Sequence, residues 1–187
     1  MATKGNLKGF TLGFATSYGC KASWFGAYDP RTGWQADEIA KIRAAGGDVK
    51  VSFGGASGIE LAQACGTVPT LAAEYDAVVK AYGLKYIDLG LEGAAVADPA
   101  SITRRSQALK TVQQNNPGLK ISLTLPVLPS GLDANGLNVL KSAGVTLDMV
   151  NVMAMDNYQG AGDQGAKRTK GHPFARFIPP RPFHACP

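Results

Sequence analysis

The sequence predicts an α/β protein built on a parallel sheet. Two observations predict it. Apolar runs of strand length alternate with amphipathic runs of helix length through residues 7–163. Glycines and Asp-Pro or Asn-Pro steps punctuate the joins. Such alternation implies parallel strands joined by right-handed crossovers, and at this level a barrel and an open doubly wound sheet both satisfy it.

The elements follow in order. Phe10 to Ala15 is a short apolar strand, and a polar, aromatic loop from Tyr18 to Trp34 follows, with Asp29-Pro30 as a turn signal. Ala36 to Ala45 is a short amphipathic helix with Ile39 and Ile42 inward, stopped at Gly46-Gly47. Val49 to Phe53 is the second strand, ending in Gly54-Gly55. Residues 58–65 and 69–82 read as helices, the second with Leu71, Tyr75, Val78 and Val79 on one face and Gly83 after it. Tyr86 to Glu92 is the third strand. Asp98-Pro99 opens a helix to about Gln114, Asp98 as N-cap and Pro99 in the first turn. Asn115 to Gly118 is a turn, Lys120 to Leu125 the fourth strand, residues 132–143 a helix, and Met149 to Met153 the fifth strand.

Composition limits the function classes. The 187 residues suffice for one domain with a sizeable core, and no apolar run approaches the roughly 18 residues of a membrane span, so no membrane partner is expected. Met1 to Gly5 lacks the apolar stretch of a signal peptide, which leaves a cytoplasmic chain or a secreted protein written without its leader. The net charge of +5 belongs to residues 167–187, where Lys167, Arg168, Lys170, Arg176 and Arg181 meet no acid. The rest of the chain balances its charges, so a nucleic-acid partner is not expected either. That 167–187 end, with five prolines and no periodicity, reads as a disordered tail, a vector-derived end or a frame-shifted end, and sets a boundary after residue 166. Both histidines, His172 and His184, fall in it, and the cysteines lack CxxC spacing, so neither a metal nor another cofactor is expected. Cys20 and Cys65 both follow predicted strand ends; they could meet as a disulfide or stay two buried thiols.

Chemistry in a parallel α/β barrel sits at the C-terminal ends of strands, and three ends here are distinctive. Ser52-Phe53-Gly54-Gly55 lets backbone approach a ligand, but lacks the Gly-Lys-Ser/Thr of a phosphate loop. Asp88, Gly90 and Glu92 share one side of a strand, so two carboxylates point to the mouth of the fold. Carboxylates at an apolar strand end are costly without work or partners; function and simple hydrogen-bonded burial both answer that cost. Asn151 to Asp156 places a third carboxylate after a strand, with Tyr158 beyond, where an aromatic suits sugar stacking or plain packing.

Together these segments resemble the family 18 glycoside hydrolases. That family carries Ser-x-Gly-Gly on one strand, Asp-x-x-Asp-x-Asp-x-Glu on the next and a Met-x-Tyr-Asp type motif later. Ser52 to Gly55 matches the first. Asp88 and Glu92 match the latter part of the second, followed by Gly93 to Ala100 as in bacterial members. Met153 and Asp156 match the third in its Met-Ala-Met-Asp form. The similarity runs in the right order from about Leu7 to Asp163. It implies an incomplete TIM-type (β/α) barrel over residues 1–166, about five of eight strands, with the first strand expected before Lys4 and the last two after Asp163. It also implies a secreted chitinase acting on chitin or chitooligosaccharides.

Carried over, the resemblance makes Glu92 the general acid that protonates the glycosidic oxygen while the substrate's own acetamido oxygen attacks the anomeric carbon. Such an acid needs a raised pKa, which a neighbouring carboxylate and an apolar interior would favour. Asp88 becomes the inner carboxylate, supported by Ser52; Asp156 and Tyr158 hold the acetamido group; Gly54, Gly55, Met153 and Met155 line the substrate. The chain departs from the pattern at Gly90, where the family has an aspartate, and at Lys85, where it often has another. Losing one such electrostatic group typically costs on the order of 10²–10³ in rate. A non-catalytic chitooligosaccharide-binding barrel, a chitinase-like lectin, is the alternative.

Overall fold

Alternation along the central strands divides the sheet into two unlike faces. The computed structural model describes residues 7–128 and 130–154. Its strands are β1 (Gly9–Ser17), β2 (Ala22–Trp24), β3 (Asp48–Gly54), β4 (Tyr86–Gly90), β5 (Lys120–Pro126) and β6 (Met149–Met153). Its helices are α1 (Ala36–Ala44), α2 (Leu61–Ala64), α3 (Val68–Tyr82), α4 (Ala94–Ala97), α5 (Pro99–Asn115) and α6 (Ala134–Lys141). The strands form one sheet in the order β2-β1-β3-β4-β5-β6, with only the β2–β1 pairing antiparallel.

The five parallel strands are the five expected, and they lie side by side in chain order. A doubly wound sheet reverses that order at a switch point. No reversal occurs here, so the arc has the winding of a barrel, and among the described residues the sheet stays open. Val49, Val51 and Phe53 of β3, Ile87 and Leu89 of β4, and Ile121, Leu123 and Leu125 of β5 alternate to one face and join the core. Leu71, Tyr75, Val78 and Val79 of α3 and Ile102, Leu109 and Val112 of α5 complete that core. Between them on the other face stand Lys50, Ser52, Asp88, Ser122 and Thr124. Among the described residues, the inner layer around Asp88 is therefore polar rather than apolar.

The helix caps follow the sequence. Asp98 accepts from the Ala100 and Ser101 amides at 3.2 and 3.1 Å, with Pro99 in the first turn of α5. Thr67 caps α3, and Gly83 closes it with φ +57°.

Three expectations change. The helix read over 58–65 is one turn, Leu61–Ala64, because Gly58 turns with φ +85° and Glu60 supplies the N-cap. The loop Tyr18 to Trp34 contains β2 and a 3₁₀ turn at Pro30–Thr32, held by tertiary contacts. Trp24 Nε1 donates to Tyr82 Oη at 2.9 Å, and Arg31 pairs with Glu74 at 2.8 Å. The strand expected to reach Glu92 ends at Gly90. Cys20 and Cys65 are joined by a disulfide that ties the turn after β1 to the end of α2. No helix among the described residues is long and apolar enough to cross a membrane.

Candidate active site

The register of the parallel strands assembles the site. Ser52, Asp88 and Ser122 are direct neighbours across β3, β4 and β5, and Gly54, Gly90 and Thr124 form the next row toward the C-terminal rim. Asp88, 2% exposed, gathers the hydroxyls of this double row. Ser52 Oγ donates to its Oδ2 at 2.7 Å, Thr124 Oγ1 lies 3.0 Å from the same oxygen, and Ser122 Oγ donates to Oδ1. Lys50 Nζ stands 3.9 Å from Oδ1 and 4.9 Å from the centroid of the Tyr86 ring. Thus Asp88 is buried with several donors around its carboxyl group, the condition under which such burial is tolerated.

The glycines at the rim are there for contact. Gly55 N donates to Gly90 O at 2.8 Å. A Cβ on Gly54, whose φ is +104°, would collide with that same Gly90 carbonyl. A Cβ on Gly55 would lie 2.6 Å from the Phe14 ring, and one on Gly90 would lie 3.0 Å from Phe14 Cε1 and 3.4 Å from Ser52 Oγ. The Phe14 ring, 43% exposed, therefore covers the two glycines where a side chain at position 90 would begin.

Glu92 lies two residues past β4, partly exposed, just before Gly93 turns the chain with φ +53°. It lines a cavity of about 260 Å³ together with Gly55, Gly58, Glu60 and Gly90. Among the described residues its side chain makes no hydrogen bond or ion pair, whereas its carbonyl accepts from Ala95 N at 3.1 Å. Met153 ends β6, beside Pro126. Met155, Asp156 and Tyr158, and the 167–187 end, lie outside the described residues. The structure thus joins Ser52 to Asp88 and brings Glu92, Gly55 and Gly90 to one cavity.

Behind that cavity is a buried cluster that the sequence reading did not single out. Arg105 Nη2 pairs with Glu60 Oε2 at 2.8 Å, and Tyr75 Oη donates to Glu60 Oε1 at 3.0 Å. Burial, reinforced by the Glu60 carboxylate, pushes the Tyr75 phenol well above its ordinary range, so it serves as a neutral donor. Burial opposes the charge of Arg105, but Glu60 more than offsets it and holds the guanidinium above its ordinary value. The available signal was periodicity: Arg105 shares a helical stripe with Ile102, Leu109 and Val112, where a charge is out of place. Ser122 and Thr124 were likewise visible as the polar half of an alternating strand.

This geometry meets close relatives among known proteins. The chain is 42% identical over 166 residues to a probable bifunctional chitinase/lysozyme of Escherichia coli (strain K12), covering 83% of this chain and 18% of that protein. It is 41% identical over 163 residues to endochitinase 11 of Metarhizium anisopliae, covering 83% of this chain and 31% of that protein. The catalytic domain of the hyperthermophilic chitinase from Pyrococcus furiosus superimposes with a TM-score of 0.79 at 32% identity, over 89% of this chain and 55% of that domain. Over most of its length the chain is similar to chitinases. It spans less than a third of the length of these two curated relatives and just over half of the solved domain. No protein-family model matches it. The fold shared with the solved chitinases accounts for strands in chain order within an arc that remains open among the described residues.

Proposed function

We propose that this chain is part of an enzyme that hydrolyses β-1,4 linkages between N-acetylglucosamine units of chitin, by a substrate-assisted retaining mechanism. The observation that carries the reading is Glu92 beside a cavity lined by Gly55 and Gly90, with Gly90 two residues outward along β4 from the Asp88 that Ser52 anchors. The chitinase relatives support the substrate class.

In this reading the acetamido oxygen of the bound sugar attacks the anomeric carbon as Glu92 delivers its proton to the leaving glycosidic oxygen. Water then opens the cyclic intermediate, with Glu92 taking the proton back. Asp88, with Ser52, fixes the floor; Asp156 and Tyr158 hold the acetamido group; Gly54, Gly55, Met153 and Met155 line the sugar. The disulfide supports a secreted, extracellular setting, where oxidising conditions preserve it. Reducing-end release from colloidal chitin tests the reading. Release that disappears in Glu92→Gln, with an unchanged melting temperature, is the expected outcome; release that persists in Glu92→Gln removes the proposed acid.

One observation favours a second reading, a chitooligosaccharide-binding module without turnover. Phe14 covers Gly90, where the family carries a carboxylate, so the rim offers an aromatic face and lacks one electrostatic group. Saturable binding of chitotetraose with no cleavage selects it.

A further inference from the structure

Arg105 and Glu60 are 3% and 5% exposed, and together they reach four parts of the fold. Arg105 projects from α5 and its Nη2 donates both to Glu60 Oε2 at 2.8 Å and to the Ala95 carbonyl at 3.2 Å. Glu60 belongs to the loop that leaves Gly54-Gly55 and caps α2 through the Ala62 amide at 2.9 Å. Its other oxygen holds Tyr75, whose fully buried ring meets Phe53 of β3 edge-on at 4.9 Å. Ala95 belongs to α4, and its amide donates to the carbonyl of Glu92. A continuous chain of contacts therefore runs from Glu92 through Ala95 and Arg105 to Glu60, Tyr75 and the strand that carries Ser52.

A buried ion pair is a poor source of stability, since well-packed apolar side chains of the same volume often do as well or better. Here the cost is larger still, because Arg105 Nε has no hydrogen-bond partner among the described residues. What an apolar cluster would not supply is a directed link between two strand-end loops. Glu60 also lines the same cavity as Glu92, yet both its oxygens are already engaged by Tyr75, Ala62 and Arg105, which leaves it no acid–base role.

We propose that Glu60 and Arg105 form a positioning pair that sets the placement of the Glu92 segment over the cavity by bridging the loops after β3 and β4. The proposal rests on the reading of Glu92 as the acid. Neither residue acts on the substrate.

The test uses the full chain and the variants Arg105→Lys and Glu60→Gln, with Ile102→Ala as a purely packing change on the same face of α5. Amide hydrogen exchange over residues 93–97, thermal melting, and kcat and KM on chitotetraose are measured for each. Exchange over 93–97 is expected to rise about tenfold in Glu60→Gln while the β3 and β4 amides stay protected. Displacement of the acid is expected to lower kcat by about 10²-fold with KM within about threefold. Arg105→Lys, which keeps a charge but loses the fork, is expected to fall between that variant and the parent. Ile102→Ala is expected to lower the melting temperature and leave the 93–97 exchange unchanged. Folded Glu60→Gln and Arg105→Lys proteins with parental exchange over 93–97 overturn the proposal. So does loosened exchange with unchanged kcat, or failure of both variants to melt cooperatively, which would make the pair a folding element. If the parent itself leaves chitotetraose uncleaved, the hydrolase reading fails on its own, and the exchange comparison still decides whether the pair holds the segment.

Discussion

The ring of Phe14 stands where the side chain of residue 90 would emerge: a Cβ on Gly90 would lie 3.0 Å from Phe14 Cε1. The contact is with one edge of a side chain that is 43% exposed, so the ring can swing outward. Gly90→Asp is therefore expected to fold. If the hydrolase reading holds, it should raise turnover of chitotetraose by about 10²-fold, the usual worth of one group placed on developing charge. Reducing-end assays on parent and variant check this, and equal rates would place the deficit elsewhere.

Gly54 offers no comparable freedom. Its φ of +104° and the collision of any Cβ with the Gly90 carbonyl both oppose a side chain there. Gly54→Ala is expected to cost about 3 kcal/mol, the upper end of local backbone strain, in urea denaturation. A cost below about 1 kcal/mol would mean that β3 and β4 separate at the rim more easily than their register implies.

Asp88 is expected to be the most sensitive polar position of the inner face. Removing its carboxylate in Asp88→Ala takes the acceptor from the hydroxyls of Ser52, Ser122 and Thr124 and leaves Lys50 beside no acid among the described residues. The expected loss is about 3 kcal/mol, against about 1.5 kcal/mol for Ser52→Ala, which removes one charge-assisted bond. Chemical denaturation of the two variants and their double mutant gives the coupling directly.

Residues Cys20 and Cys65 are 45 apart in sequence, and their bond closes that loop. The chain-entropy relation assigns such a closure about 4 kcal/mol. Melting with and without reductant, compared with a Cys20→Ser/Cys65→Ser variant, is expected to give a matching drop in the reduced parent and in the variant.

Much of this arrangement was legible in the sequence where local signals and tertiary needs agree. Ile87-Asp88-Leu89 and Ile121-Ser122-Leu123 alternate in period two, and the sheet uses that alternation as written. Asp98-Pro99 announces α5 because cap chemistry is local. The short β2 was not legible: its three residues pair antiparallel with the end of β1, and Trp24 is anchored to Tyr82, 58 positions on. The end of β4 was misplaced because Glu92 continues the alternation although the pairing stops at Gly90. The motif residues were visible, Ser52 beside Asp88 among them, yet two further donors to Asp88, Ser122 and Thr124, came from β5, which no motif marked. The Glu60–Arg105 pair spans 45 positions, beyond any local pattern.

Because the parallel strands succeed one another along the arc without reversal, β3, β4 and β5 each send their own connection over the C-terminal rim. Under the proposed function, specificity is then modular. Grafting at the exposed tip of the connection after β5, beyond Leu128, is expected to give cleft variants that keep Val127 in the core, Asp133 as the cap of α6 and the hydroxyl-bound carboxylate beneath undisturbed.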